Sequence, residues 1–326
     1  MKIVVLDDYS DIFRGLESFS RLKDHEVVVF NDTEKDSARL AARLKDADAV
    51  VLTQERSAFP RGVIDCLPKL KLIAQTGSHR HHLDIAACTE KGIVVSAEPI
   101  GPKASYSTTE LTWGLIFANL RHIPYEVEQM KQGRWQSTVG TELHGKTLGI
   151  YGFGKIGGWM AGVGKAFGMK VTCWGREGSQ ARAREAGYEV PASRAAFFAD
   201  ADVLSLHIFY NEETRGVVTR ADLARMKPTA LLVNTGRMRL IEDGALVDAL
   251  KNGRPGFAAV DVYEEEPVLG ASHPLLKMPN ALCTPHLGYA VREKYENFYR
   301  IATDSILAFA AGRPINVYNP EVLARQ

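Results

Sequence analysis

Thr147-Leu148-Gly149-Ile150-Tyr151-Gly152-Phe153-Gly154-Lys155-Ile156-Gly157 is the stretch on which the fold turns. An apolar strand pattern runs straight into Gly-x-Gly-x-x-Gly. A helix-like stretch follows as far as Ala166-Phe167-Gly168-Met169, and then a second apolar run, Val171-Thr172-Cys173-Trp174. Strand, glycine loop, helix and strand make a βαβ unit, the context in which three such glycines read as a cradle for a dinucleotide. Gly152 permits the tight turn, Gly154 lets the backbone approach a pyrophosphate, and Gly157 lets helix and strand pack closely. The helix N-terminus offers N–H groups and a positive dipole end to the phosphates.

Upstream, strand-like runs at Ile3 to Leu6, Val27 to Phe30, Ala49 to Leu52, Leu70 to Gln75 and Ile93 to Val95 alternate with amphipathic stretches such as Ser37 to Lys45 and Asp84 to Lys91. That rhythm predicts a parallel sheet with helices on both faces. The Pro- and Gly-rich Glu98-Pro99-Ile100-Gly101-Pro102-Lys103 breaks it. Ser107-Thr108-Thr109-Glu110 then opens a long helix with a capping-box pattern, ending at Arg121-His122-Ile123-Pro124. A second βαβ series runs from Thr147 to His286. The last helical stretch, Val291 to Ala311, comes after that series is complete and is expected to pack back on the first domain. The fold class is therefore α/β, with two doubly wound parallel-sheet domains. One comprises residues 1–100 and 290–326, the other 101–289.

Composition narrows the partners. A formal charge of +1 over 326 residues gives no electrostatic case for nucleic acid or an acidic membrane surface. No apolar run approaches the roughly 18 residues that span a bilayer. Met1-Lys2-Ile3-Val4-Val5-Leu6-Asp7-Asp8 turns acidic at once, unlike a signal peptide, and reads as a strand in a cytoplasmic protein. Cys66, Cys88, Cys173 and Cys283 show no C-x-x-C spacing, which argues against structural zinc or a disulfide framework.

Three residues beyond the glycine fingerprint carry the chemistry. Arg237 follows Ala230-Leu231-Leu232-Val233-Asn234-Thr235-Gly236, Glu266 closes Ala258-Ala259-Val260-Asp261-Val262-Tyr263-Glu264-Glu265-Glu266-Pro267, and His286 follows Ala281-Leu282-Cys283-Thr284-Pro285. In an open α/β sheet such strand ends are where ligands bind. Reducing a 2-oxo acid places a hydride on the carbonyl carbon and a proton on its oxygen. His286 suits the proton transfer, Glu266 keeps the imidazole oriented, and Arg237 clamps the substrate carboxylate and polarises its carbonyl. Where an NAD site has an acid at the end of the second strand, this chain has Gly175-Arg176-Glu177. Arg176 can pair with a 2′-phosphate, so the cofactor is NADP or NAD, with NADP favoured.

Asn234-Thr235-Gly236-Arg237, the run from Ala259 to Pro267, Thr284-Pro285-His286-Leu287-Gly288, and Gly145-Lys146-Thr147-Leu148-Gly149-Ile150, with Gly133-Arg134-Trp135 shortly before, closely resemble the signatures of the D-isomer-specific 2-hydroxyacid dehydrogenases. The resemblance spans essentially the whole chain. It implies a flavodoxin-like substrate domain and a Rossmann cofactor domain with a cleft between, and a homodimer built on the cofactor domain. It makes Arg237 the substrate-holding residue, Glu266 the support of the acid/base and His286 the proton carrier. It also implies that Gly152, Gly154, Lys155, Ile156, Gly157, Gly175, Arg176, His207, Thr214, Thr235, Gly236, Asp261 and Gly288 line the cofactor, with Asp261 near the nicotinamide. Glutamate at 266 fits hydroxyacid chemistry; formate dehydrogenases of the same fold have glutamine there.

The chain departs from the family at its substrate loop, Gln75-Thr76-Gly77-Ser78-His79-Arg80-His81-His82-Leu83-Asp84, where a Gly-x-Gly-Val-Asp-Asn-type sequence is usual. Gly77, Ser78 and His79, with Arg56 of Gln54-Glu55-Arg56-Ser57 expected nearby, make a basic surface suited to a small anionic 2-oxo or 2-hydroxy acid. The histidines lack an acidic or thiolate partner and no metal is expected. The Phe209-Tyr210 pair after His207 replaces a segment that usually contains proline. These residues favour a glyoxylate or hydroxypyruvate reductase-like enzyme making a D-2-hydroxyacid. One alternative is a short-type D-3-phosphoglycerate dehydrogenase, weakened by Gln54 where those enzymes tend to have arginine. Another is a dinucleotide-sensing corepressor or scaffold on the same fold.

Overall fold

The computed structural model describes residues 1–77, 80–98 and 106–325. The chain divides into two compact units, Met1–Lys103 with Val291–Gln326, and Ala104–Ala290.

In the first unit, β1 (Lys2–Leu6), β2 (Glu26–Val29), β3 (Ala49–Leu52), β4 (Leu72–Gln75) and β5 (Val94–Ala97) form one parallel sheet in the order β2-β1-β3-β4-β5, the flavodoxin-like order. Successive side chains of a strand point to opposite faces. Val4 and Leu6 pack with Leu40, Leu44 and Phe59, while Ile3 and Val5 pack with Phe13, Tyr299 and Ile306. Both faces are thus apolar and covered, as a parallel sheet requires. The second layer depends on the returning helix Arg292–Ala310, whose Tyr299, Ala302 and Ile306 are buried against it. Truncating Ile306 to alanine there would cost about 2–5 kcal/mol.

In the second unit, β6 (Thr147–Tyr151), β7 (Lys170–Trp174), β8 (Val203–Leu206), β9 (Leu231–Asn234), β10 (Phe257–Val260) and β11 (Ala281–Cys283) are parallel in the order β11-β10-β9-β8-β6-β7. A single bridge, Thr172 to Glu189 with Cys173 N donating to the Glu189 carbonyl at 2.8 Å, stands beyond β7 where a Rossmann sheet has its third strand. The chain leaves β6 to one side for β7 and returns to the other side for β8. The strand order therefore reverses beside β6, and the crevice falls at its carboxyl end.

One local expectation is corrected. The helix predicted to open with a capping box is Ser107–Leu120, but Tyr106 occupies its N-cap and no side chain caps it. Ser107 is already helical, which leaves it one position too late to cap. The helix does end at the expected stop, with Arg121 at its C-cap, and Pro124 has a second part. It lies in the first turn of a second helix, Ile123–Lys131, entered through left-handed His122 (φ 52°), where proline's missing N–H is no loss.

Candidate active site

The glycine loop is built as its sequence predicts. Gly152 has φ 103°, and a Cβ there would lie 2.6 Å from the His207 carbonyl oxygen. At Gly157 a Cβ would lie 2.2 Å from the Gly152 carbonyl oxygen. These two glycines are required by the fold itself. Gly154 differs: it N-caps the helix Lys155–Ala166, and a Cβ there would meet nothing within 4 Å. Nothing in the polypeptide itself excludes a side chain at that place. Phe153 N donates to Ser179 Oγ at 2.7 Å, tying the loop to the helix Glu177–Glu185.

A cavity of about 510 Å³ opens over this loop, lined among others by Gly154, Gly175, Arg176, Arg182, Glu213 and Thr214. It lies entirely within the second unit. Its backbone cradle, open Gly154 and two guanidiniums fit the phosphates and ribose of a dinucleotide. Arg176 does not stand open: Nη2 lies 2.8 Å from Glu213 Oε2. Arg182 donates to the Phe153 carbonyl at 3.2 and 3.3 Å. His207 also lines the cavity, its Nε2 2.8 Å from Ser205 Oγ, and burial pushes its pKa down to about 4. Thr214 forms a reciprocal cap with Asn211, and Phe209, the departure after His207, lies exposed along the cavity wall.

The sheet order places the ends of β9, β10 and β11 side by side. Beyond β9, Asn234 Oδ1 accepts from Gly236 N and Asn234 Nδ2 donates to the Arg237 carbonyl, which fixes the turn bearing the arginine. Thr235 Oγ1 is buried, 2.8 Å from Thr112 Oγ1. Arg237 is half-buried and donates from Nη1 to the Gly236 carbonyl at 2.9 Å.

Asp261, directly after β10, is fully buried. Its Oδ1 accepts from Thr284 Oγ1 at 2.6 Å and Leu287 N at 2.7 Å, and its Oδ2 from Gly288 N at 2.8 Å. Burial raises its pKa against the pull of these three donors and of nearby His286. The carboxylate thus pins both flanks of His286, which adopts a left-handed φ of 53°. Thr108 Oγ1 donates to the Gly288 carbonyl at 3.0 Å, adding a hold from the helix Ser107–Leu120.

Glu266 lies six residues past the β10 terminus, so its loop must fold back to reach the site. It does so through Tyr263 N, which donates to Glu266 Oε1 at 3.0 Å, while Tyr263 Oη donates to the Thr284 carbonyl at 3.0 Å. Glu266 Oε2 then stands 2.5 Å from His286 Nδ1. A carboxylate only accepts, so Nδ1 carries the hydrogen and Nε2 is not engaged by Glu266.

In the first unit, Gly77 has φ 77°, and a Cβ there would lie 2.8 Å from Gln54 Nε2. Arg56 is half-buried beside Asp7, whose pKa its charge lowers against the larger effect of burial. The basic character expected of the loop is largely tied up internally. Arg80 stacks 4.1 Å over Tyr318, His81 Nδ1 is 3.1 Å from Glu55, and His82 Nε2 is 3.0 Å from Gln75. Ser78 and His79 lie outside the described residues. Among the described residues no cluster of three or more His, Cys, Asp or Glu is placed to hold a metal ion, and no helix is long and apolar enough to cross a membrane.

Sequence reasoning missed Ser179, Arg182, Glu213 and Tyr263. Only the position of Arg182 on the helix after Gly175 could have signalled one of them.

Comparison with known proteins agrees with this geometry. The family model described as "D-isomer specific 2-hydroxyacid dehydrogenase, NAD binding domain" matches residues 113–288. The chain is 36% identical over 300 residues to a glyoxylate reductase of Aeropyrum pernix, covering 87% of this chain and 86% of that one. It is 35% identical over 309 residues to a D-3-phosphoglycerate dehydrogenase of Methanocaldococcus jannaschii, covering 94% of this chain but only 57% of that longer protein. A solved structure from Ralstonia solanacearum, provisionally assigned as a D-3-phosphoglycerate dehydrogenase oxidoreductase, superposes with a TM-score of 0.91 at 49% identity, covering 99% of this chain and 98% of that one. On that match and those identities, the chain belongs to the D-isomer-specific 2-hydroxyacid dehydrogenase family of NAD-dependent oxidoreductases.

Proposed function

We propose that this protein interconverts a small 2-oxo acid, of the glyoxylate or hydroxypyruvate kind, and its D-2-hydroxyacid. The 2.5 Å pairing of His286 Nδ1 with Glu266 carries this reading. It leaves Nε2 to give a proton to the substrate's carbonyl oxygen, or to take one from the hydroxyl in the reverse direction. Glu266 holds the ring and balances the imidazolium charge. Arg237 binds the substrate carboxylate and polarises the carbonyl. Asp261 sets the loop that aims His286. A nicotinamide bound on this unit would supply or accept the hydride. We assign the second unit to the dinucleotide and the first to the acid, through Arg56 and the Gly77 loop.

NADP is the favoured cofactor, because two guanidiniums, Arg176 and Arg182, line the cavity. Homodimerisation through the dinucleotide unit is supported by several exposed apolar side chains close together in sequence, among them Ile123, Val127, Met130 and Trp135.

The names of the Methanocaldococcus and Ralstonia relatives favour a second reading, oxidation of D-3-phosphoglycerate. One experiment separates the two: absorbance of NADPH or NADH is followed with glyoxylate, hydroxypyruvate and 3-phosphohydroxypyruvate. Preference for the unphosphorylated acids is expected. Faster turnover of 3-phosphohydroxypyruvate would install the second reading. Tight dinucleotide binding without turnover of any acid would overturn both and favour a dinucleotide sensor.

A further inference from the structure

Arg176 and Glu213 reach one another from opposite sides of the cavity. Arg176 follows β7 and N-caps the helix Glu177–Glu185; Glu213 lies in the short turn Glu212–Thr214 that follows β8. Because β7 and β8 lie on opposite sides of β6, their 2.8 Å ion pair bridges the crevice where strand order reverses. The backbone beneath Glu213 is fixed. Asn211 Oδ1 accepts from Thr214 N at 3.0 Å, and Thr214 Oγ1 accepts from Asn211 N at 2.8 Å. The two side chains are 66% and 75% exposed, so water screens the pair and a stronger anion can break it. Arg182 provides a second guanidinium on the same wall.

We propose that Glu213 sets the choice between NAD and NADP, resting on the reading that this cavity takes the adenosine end of the dinucleotide. NAD sites usually place an acid at the end of the second strand to accept from the ribose 2′-hydroxyl. Here that place is held by Gly175-Arg176, and the acid arrives from across the crevice instead. With an unphosphorylated ribose, Glu213 accepts from the hydroxyl and keeps Arg176 engaged. A 2′-phosphate offers three oxygens and more charge, draws Arg176 away, and leaves Glu213 as a repulsive neighbour. Cofactor choice is thus a competition for one guanidinium between an internal carboxylate and an incoming phosphate.

Isothermal titration of the full chain with adenosine 2′,5′-bisphosphate and adenosine 5′-monophosphate tests this without turnover. Glu213→Gln should tighten the bisphosphate roughly three- to tenfold, the range open to an exposed ion pair and its removal, and should weaken the monophosphate. In an Arg176→Ala background the same substitution should lose most of its gain for the bisphosphate. An unchanged ratio of the two dissociation constants in Glu213→Gln would overturn the proposal while leaving the adenosine site standing. Failure of the unaltered chain to bind either nucleotide would overturn both.

Discussion

His286 Nδ1 and Glu266 Oε2 stand 2.5 Å apart, with each side chain only 17% exposed. They come from different loops, one after β10 and one after β11, and neither loop could hold the pair alone. Tyr263 N anchors the carboxylate and Asp261 anchors the imidazole's loop, so the contact is fixed at both ends. One ring nitrogen is committed to Glu266; in the proposed reaction the other exchanges a proton with the substrate.

Glu266→Gln keeps the shape and an acceptor for Tyr263 N, but cannot balance charge on the imidazole. The pair's acid–base contribution is worth roughly 10²–10⁴-fold, so kcat should lose part of that factor with dinucleotide affinity unchanged. Steady-state kinetics together with a dinucleotide titration checks this. An unaltered kcat would remove Glu266 from the acid/base pair.

Gly154 and Gly157 should respond oppositely to alanine. At Gly157 the new Cβ would meet backbone oxygen at 2.2 Å, and the strain should lower stability by about 1–3 kcal/mol. At Gly154 there is open space, so Gly154→Ala should melt like the unaltered protein yet bind dinucleotide more weakly. Melting curves paired with dinucleotide titration test the contrast. Full binding by Gly154→Ala would mean that no phosphate approaches there.

Asp261→Asn would set an amide N–H₂ against a backbone N–H or a hydroxyl donor, since all three contacts of Asp261 are donors to it. A buried donor left unpaired costs about 1–3 kcal/mol. Chemical denaturation should show that loss, and kcat should drop as the His286 loop slackens. A variant of normal stability and rate would show that the loop holds itself.

His207 predicts acid sensitivity. Burial depresses its pKa from 6.5 to about 4, so between those values the unfolded chain binds a proton that the folded chain refuses. Its contribution to stability is therefore fully present above pH 6.5 and lost as pH falls toward 4, by up to about 3 kcal/mol. Unfolding free energies measured at pH 7 and pH 4.5 should diverge less in His207→Gln. Equal divergence in both proteins would locate the acid-sensitive group elsewhere.

What the sequence made legible was whatever local periodicity or a single motif encodes. The strand before Gly152, the glycine loop and the strand-end positions of Arg237 and His286 all fall in that class, because each is set within about ten residues of chain. Glu213 and Tyr263 were hidden because their partners, Arg176 and Glu266, meet them only once the crossovers have closed. Asp261 also holds the His286 loop, because its oxygens are engaged by backbone N–H groups more than twenty residues away, which no side-chain pattern reveals. Ser107 illustrates the opposite error: a capping motif was present, but the helix began one residue earlier than it required.

The most direct test compares the unaltered protein with His286→Ala on the best 2-oxo acid, following oxidation of the reduced nicotinamide and resolving the product's enantiomers. The unaltered enzyme should give the D-2-hydroxyacid. In the variant the rate should fall by roughly 10²–10⁴-fold with dinucleotide affinity preserved. An L product, or a His286→Ala variant as fast as the parent, would contradict the proposed role of His286.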